Sequence, residues 1–137
     1  MYCRVLSASK DLEPDLTCES PASRKSWVTG ESVFNELKGG MLVECSLSLC
    51  EQLLQPDSNE GAAPCSSGGG ATVLQLLGKR IPFELAVGVN GRVWVNAAKK
   101  AHMVLVANAL KNAEHLTEQQ ARVMVHRLMD VMQHQFS

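Results

Sequence analysis

The sequence predicts an α+β domain, and three observations lead to this prediction. Residues 83–97 alternate apolar and polar side chains around a reversal, which is the pattern of two paired strands. An apolar run at 41–45 is followed by leucines at helical spacing, and residues 98–132 carry two further helical patterns. After a short amino-terminal part, the predicted order is therefore strand, helix, helix, strand, strand, helix and helix.

The two central strands are predicted to form a hairpin. Residues 83–87 alternate in side-chain polarity, and the strand after the reversal does the same. Asn90 and Gly91 lie between them and predict a type I′ turn, because both residue types tolerate the positive φ that this turn requires. Gly88, before the turn, predicts a bulge or a close approach of the backbone.

The first half of the domain is predicted to begin with a buried strand and a helix. Residues 41–45 are apolar with one interruption, which fits a strand in the interior. The leucines that follow recur at helical spacing, and Ser46 and Ser48 are both available as the N-cap. Pro56 ends this helix.

Residues 56–71 form a segment of low complexity in which Gly, Ser, Pro and Ala dominate. We expect this segment to be a flexible insertion that contributes nothing to the core. The helix after it is predicted to start with Thr72 as its cap and to end with Gly78 as a C′ residue.

Two helices follow the hairpin. Residues 98–114 carry Ala, Leu and Val on most of the helix circumference, so this helix is predicted to be buried against the sheet. Thr117 is the predicted N-cap of the last helix, and Gln120 completes a capping box. One apolar stripe of the last helix is predicted to face the core: Met124, Val125, Leu128, Val131 and Met132.

The amino-terminal residues 1–25 are predicted to contain two short strands, 2–6 and 16–18. Residues 10–15, between them, have turn chemistry. Two strands do not form a stable sheet alone. We therefore expect this part to be poorly ordered or to pack against the rest of the chain, to which a polar linker at 20–26 connects it.

The composition excludes several classes of protein. The chain has 137 residues, enough for one domain with a core, and no apolar run reaches the ~18 residues of a membrane-spanning helix. Its five cysteines and four histidines follow no zinc-ligand spacing, so we predict free thiols, no metal and no cofactor. No carboxylate cluster for two magnesium ions and no evident nucleophile with a histidine and an acid is found in the sequence, so no catalytic residue is predicted.

The net charge of −1 conceals an asymmetry along the sequence. Residues 79–111 contain six basic side chains and one acidic, whereas residues 31–60 contain six acidic and one basic. A domain polarised in this way suits one partner of each sign. The alternative is that both sets are ordinary solvated faces.

Residues 88–95, Gly-Val-Asn-Gly-Arg-Val-Trp-Val, resemble the G-x-N-G-[RK]-[IV]-W-[IV] signature of the KH domain in an RNA exosome cap subunit family, ribosomal RNA-processing protein 40. The likeness extends over roughly 37–128. It implies a KH type I-like domain, βααββα plus an extra helix, at 26–137. It also implies that residues 1–25 are a remnant of an S1/OB-type barrel whose earlier strands would precede Met1.

The resemblance further implies a non-catalytic cap subunit that binds RNA. Such a cap stabilises a ring of RNase PH-like subunits, contacts the other cap subunits and guides RNA to the pore for 3′-to-5′ processing and degradation. Its implied locations are the nucleus, the nucleolus and the cytoplasm, with no membrane contact. Two alternatives stay open, namely a stand-alone KH module that binds RNA and a pure protein-assembly domain without RNA contact.

KH modules clamp the nucleic-acid backbone with a G-x-x-G loop between their first two helices, but here the low-complexity segment occupies that place. Gly88, Asn90 and Gly91 are therefore predicted to serve the turn. Trp94 is predicted to pack on a helix or a neighbouring domain, in preference to stacking on a base. The candidates for phosphate contacts are basic residues near turns and helix ends: Lys79, Arg80, Arg92, Lys99 and Lys100.

Overall fold

The computed structural model describes residues 1–19, 34–54 and 69–136, with side chains as far as residue 134. The chain divides into two compact units, Met1–Gly39 and Gly40–Ser137. The predicted boundary between residues 25 and 26 lies outside the described residues. The residues just before Gly40 group with the amino-terminal unit.

The amino-terminal unit contains a hairpin of β1, Arg4–Ser9, and β2, Leu12–Thr17, which pair antiparallel. The strands extend beyond the predicted limits, since only two residues between them form the turn. The rings of Tyr2 and Phe34 stack with their centroids 5.0 Å apart. Four apolar side chains of the hairpin are more than half exposed: Val5, Leu6, Leu12 and Leu16. A hairpin of this kind depends on additional packing for its stability.

The second unit is built on a three-stranded antiparallel sheet in the order β3-β5-β4. β3 is Met41–Glu44, β4 is Phe83–Val87 and β5 is Arg92–Ala97. Two helices separate β3 from β4 along the chain, and two more follow β5. The predicted α+β class, with the order βααββα plus one helix, is confirmed.

Alternation along the strands gives the sheet a buried face and an outer face. The buried face carries valines that are 7% exposed or less: Val43, Val87, Val93 and Val95. The alternate positions form the outer face, which the helices do not cover: Leu42, Glu44, Glu84, Ala86, Arg92, Trp94 and Asn96.

Four helices complete the second unit: α1 is Leu47–Leu54, α2 is Gly69–Gly78, α3 is Lys100–Ala113 and α4 is Glu118–Phe136. Each contributes buried side chains to a single core, among them Cys50, Leu77, Leu110 and Val125. Of the two candidate caps of α1, Ser46 is used, because its Oγ accepts a hydrogen bond from the Leu49 N–H at 3.3 Å.

Helix α2 begins at Gly69, before its predicted cap Thr72. Both glycines of its first turn are buried. A Cβ on Gly70 would lie 2.6 Å from Leu49 Cδ1, and one on Gly69 would lie 3.0 Å from Ala121 Cβ. Since the glycines let α2 approach α1 and α4, the expectation that the low-complexity segment contributes nothing to the core is wrong for its carboxyl end. Its residues 56–68 lie outside the described part.

The ends of the remaining helices correct several predictions. Gly78 is the last residue of α2 and does not have the positive φ of a left-handed C′ glycine. Helix α3 is one-sided, because Val106 and Leu110 are fully buried whereas Val104 is 50% exposed. It is therefore less completely enclosed than its composition predicted.

Helix α4 begins as predicted, and four of the five residues of its predicted stripe lie in the core or pack against it: Val125 is buried, and Met124, Leu128 and Met132 are partly buried. The Thr117 N–H donates to Gln120 Oε1 at 3.1 Å, as the capping box requires. The buried positions step by four residues: Ala121, Val125 and Met129. Val131 is 55% exposed, so its predicted place in the core is wrong.

Candidate nucleic-acid interface

The loop between β4 and β5 is one residue longer than the predicted type I′ turn. Gly88 and Arg92 form the closing pair, in which the Gly88 N–H donates to the Arg92 carbonyl at 2.9 Å. Val89, Asn90 and Gly91 therefore make a three-residue loop. Hairpin loops of this length commonly end in a residue with left-handed backbone, and Gly91, with φ 80°, meets this requirement.

Gly91 anchors the loop to the junction of β3 and α1. Its carbonyl accepts a hydrogen bond from the Cys45 N–H at 2.8 Å, and its own backbone hydrogen-bonds the Cys50 thiol. A Cβ at this buried position would lie 2.9 Å from the Cys45 carbonyl oxygen. The groups of Gly91 are thus occupied within the protein.

Gly88 and Asn90 are also engaged within the loop. The Asn90 side chain accepts a hydrogen bond from the Arg92 N–H at 3.2 Å. A Cβ on Gly88 would lie 2.6 Å from Asn90 Oδ1. The conformation of the Asn90 side chain therefore requires glycine at residue 88.

Two thiols and a carboxylate lie behind the loop. Burial raises the pKa of both the Cys45 and Cys50 thiols, and the Glu114 carboxylate contributes in the same direction. Glu114 Oε1 accepts a hydrogen bond from the Ser46 N–H at 3.1 Å and so holds the start of α1. Raised thiol pKa values disfavour a nucleophilic thiolate, which makes this cluster a structural one.

Trp94 lies on the outer face of the sheet. It stands opposite Leu42 in β3 and Ala86 in β4, and it is half-buried. A Cβ on Gly40 would lie 2.6 Å from Trp94 Nε1, so the indole covers the chain just before β3. Of the two predicted partners of Trp94, a helix is wrong, because its neighbours Val93 and Val95 lie on the buried face of the sheet. Packing of Trp94 on a neighbouring domain stays a prediction.

Four of the five predicted RNA-contacting residues lie at one end of the sheet. The register pairs Phe83 with Ala97, which brings the loop before β4 next to the loop after β5. All four side chains are exposed, and we call this group the basic end: Lys79, Arg80, Lys99 and Lys100. Among the described residues the one ion pair is Arg122–Glu118, so the basic end has no carboxylate partner there.

Arg92 does not belong to the basic end. It starts β5, whereas the basic end adjoins the last residue of that strand, Ala97. At about 3.3 Å per residue the two positions are roughly 16 Å apart. Arg92 instead stands opposite Glu44 on β3.

A small pocket adjoins the basic end, and we call it the end pocket. Its volume is about 280 Å³, and it is lined by Pro82, Phe83, Glu84, Asn96, Ala97 and Ala98. Glu84 and Asn96 are cross-strand neighbours, and Asn96 Nδ2 donates to Glu84 Oε2 at 3.2 Å. These two residues were not among the predicted site residues. Their only local signal is their placement on the polar side of the two strands.

An apolar groove of about 480 Å³ runs along α4. It is lined by Leu116, Gln119, Gln120, Val123, Met124, Arg127, Leu128 and Val131. Val123 and Val131 are each more than half exposed. The groove is a candidate surface for contact with another protein.

Metal clusters and membrane-spanning helices are both absent from the described part of the chain. Residues 1–19, 34–54 and 69–136 contain no group of three or more His, Cys, Asp or Glu that would hold a metal ion. No helix in the same ranges has the length and apolarity to cross a membrane. The place where KH modules carry their clamping loop, between α1 and α2, lies outside the described residues.

Comparison with known proteins agrees with this fold. Residues 40–101 match the protein family described as KH domain. This match begins at the first residue of the second compact unit and extends into α3.

Curated relatives match over more of the chain. A Dictyostelium discoideum protein that carries the name rrp40 is 38% identical over 120 residues, which cover 88% of this chain and 43% of that protein. The exosome complex component rrp40 of Schizosaccharomyces pombe is 37% identical over 121 residues, 88% of this chain and 43% of that protein. Human exosome complex component RRP40 is 30% identical over 130 residues, 95% of this chain and 41% of that protein. The chain thus spans about two fifths of the length of these relatives.

Proposed function

We propose that this chain is part of a non-catalytic cap subunit of the RNA exosome. The proposal is supported by its KH domain and by its homology, over most of its length, to exosome components named rrp40. In this proposal it binds RNA, contacts RNase PH-like ring subunits and other cap subunits, and guides RNA to the pore for 3′-to-5′ processing and degradation. It acts in the nucleus, the nucleolus and the cytoplasm, and it performs no catalytic step.

The observation that carries RNA binding is the basic end. Its four cations come from the loop before β4 and from the start of α3 after β5, which the strand register brings together, and none forms an ion pair within the described residues. Unpaired, exposed cations attract phosphate and release its counterions on binding. The GxNG loop does not support the same role, because its glycines and asparagine are engaged within the protein.

Salt dependence tests this proposal. If single-stranded RNA contacts four cations, the logarithm of the observed binding constant should fall with the logarithm of the salt concentration at a slope of about −3. Each phosphate contact contributes roughly −0.7 to this slope. Replacing Lys79 and Lys99 by glutamine should weaken binding and make the slope shallower by about 1.4. Fluorescence anisotropy of labelled RNA at several salt concentrations measures both.

Lys111→Gln is the matched control. Lys111 is an exposed cation in the last turn of α3, about 16 Å along the helix from Lys100. Its removal takes away one positive charge but leaves the basic end intact, so the slope should not change. An unchanged slope in the double variant, or an equal change in Lys111→Gln, would refute the role of the basic end.

The groove along α4 favours a second candidate function, protein assembly without RNA contact. Val123→Glu should abolish co-purification with ring subunits if the groove is the docking surface, since a carboxylate would be buried without a partner. His126→Glu is the control, because His126 is exposed on α4 but does not line the groove. Ring binding that is lost in Val123→Glu, together with no measurable RNA affinity of the chain, would establish assembly alone.

The amino-terminal hairpin is proposed to be the closing part of an S1-type barrel. Its exposed apolar side chains support this, since Val5 and Leu16 are cross-strand neighbours that need a covering layer. In a longer chain that includes upstream residues, the amides of β1 and β2 should exchange slowly with solvent. Fast exchange there would contradict the barrel.

A further inference from the structure

The end pocket presents hydrogen-bond acceptors in a defined arrangement. The bond from Asn96 Nδ2 to Glu84 Oε2, 3.2 Å long, orients both side chains on the outer face of the sheet. It leaves Glu84 Oε1 and Asn96 Oδ1 without a partner among the described residues. A group that enters the pocket therefore meets a carboxylate oxygen and an amide oxygen. It must donate a hydrogen bond to at least one of these two acceptors.

The remaining lining of the pocket is apolar. Phe83 is half-buried and packs against the core, whereas Pro82 is exposed. The volume of about 280 Å³ lies just below the range of ligand-binding cavities, which usually measure roughly 300–1,000 Å³. A single base fits such a space better than several nucleotides.

The basic end flanks this pocket on both sides. Lys79 and Arg80 precede Pro82, and Lys99 follows Ala98 directly, so cations lie next to both walls. A nucleotide placed here can set its phosphates against the cations while its base enters the pocket.

We infer that the end pocket selects a guanine in bound single-stranded RNA, an inference that rests on the proposed RNA binding at the basic end. Guanine presents two neighbouring donors on its Watson–Crick edge, N1–H and the N2 amine, and a carboxylate with an adjacent acceptor accepts both. Cytosine and adenine offer one amine. Uracil offers one donor, N3–H, between two carbonyl oxygens that would face these acceptors, and it is disfavoured.

The experiment uses the full chain and labelled oligouridines of about ten nucleotides, a length that exceeds the few nucleotides a KH-sized surface contacts. One probe is all uridine, one carries a central guanosine and one carries inosine, which lacks the N2 amine. Guanosine should bind about ten-fold more tightly than uridine, the discrimination expected of a two-bond base contact. Inosine should lie between the two.

Glu84→Gln tests the carboxylate, because it places an NH₂ group where an acceptor is required. The variant should lose the ten-fold preference for guanosine while its affinity for all-uridine RNA stays the same or rises slightly. Glu44→Gln is the matched control, since Glu44 lies on the same outer face but at the end of the sheet that carries Arg92. It removes the same charge and should keep the preference.

The outcomes separate the two proposals. Salt-dependent RNA binding without a guanosine preference, or a preference that survives in Glu84→Gln, overturns the base-selecting pocket and leaves RNA binding at the basic end intact. Absence of RNA binding in all probes overturns both. A preference lost equally in Glu84→Gln and Glu44→Gln would show a general charge effect and also overturns the pocket.

Discussion

Replacing Gly91 by alanine should destabilise the second unit by about 2–3 kcal/mol. Gly91 is buried with φ 80°, and an L-residue in this region costs about 1–2 kcal/mol. The added Cβ would lie 2.9 Å from the Cys45 carbonyl oxygen, which is a backbone atom that cannot rotate away. The loop must therefore shift and weaken the 2.8 Å bond from the Cys45 N–H, which contributes about 0.5–1.5 kcal/mol.

Urea unfolding followed by far-ultraviolet circular dichroism measures the loss directly. For a unit of this size, 2–3 kcal/mol corresponds to a fall in Tm of roughly 8–24 °C. Gly78→Ala provides the matched control. Gly78 has no positive φ, and an added Cβ would meet nothing within 4 Å. That variant should be neutral or more stable by up to about 1 kcal/mol.

This measurement distinguishes two roles of Gly91, stabilising the loop and contacting RNA. If Gly91→Ala unfolds at the wild-type urea concentration and yet loses RNA affinity, Gly91 is a contact residue and the reasoning above is refuted. If both variants lose the same stability, the effect belongs to glycine removal in general. Only a loss specific to Gly91 agrees with the anchored loop.

Three further predictions concern packing, pH and a single hydrogen bond. Gly69→Val should lower the free energy of unfolding by about 1–3 kcal/mol in thermal melts, because its Cβ would already lie 3.0 Å from both Ala121 Cβ and the Leu116 carbonyl oxygen. An unchanged melting temperature would contradict the close approach of α2 and α4. The pKa values of Cys45 and Cys50 are raised above the ordinary 9.0, so the neutral thiols stabilise the fold fully below that pH and this stability is lost as pH rises above it. Urea midpoints should therefore fall as pH rises above about 9, and less so in Cys45→Ala. Glu114→Ala should lower the free energy of unfolding in urea by about 1–3 kcal/mol, because it leaves the Ser46 N–H at the start of α1 without its acceptor. Stability equal to that of the wild type would show that water replaces the carboxylate.

The sequence by itself determined the type and order of the elements in the second unit. The hairpin was recognisable because period-two alternation and an Asn-Gly reversal are local signals. The helices followed from apolar spacing, and Gln120 marked the start of α4 through a contact three residues away. These features depend on neighbours along the chain, which is why reading the residues in order sufficed for them.

Predictions made from local signals were wrong where contacts between residues distant in the sequence determine the structure. Gly69 and Gly70 have poor helix propensity and stand in a segment of low complexity, yet they begin α2 because α1 and α4 pack against positions without a side chain. Spacing identified the packed side of α4, since Val125, Met124, Leu128 and Met132 lie in or against the core, but it placed Val131 there too, and Val131 is exposed.

The candidate site shows the same division. The sequence supplied the cations, and Lys79, Arg80, Lys99 and Lys100 were identifiable as basic residues near element ends. Only the tertiary structure decided that they share one end of the sheet and that Arg92 lies at the other. Pairing of Phe83 with Ala97, and of Glu84 with Asn96, creates both the basic end and the end pocket. Strand register is a contact between residues far apart in sequence, so the local pattern of either strand does not contain it.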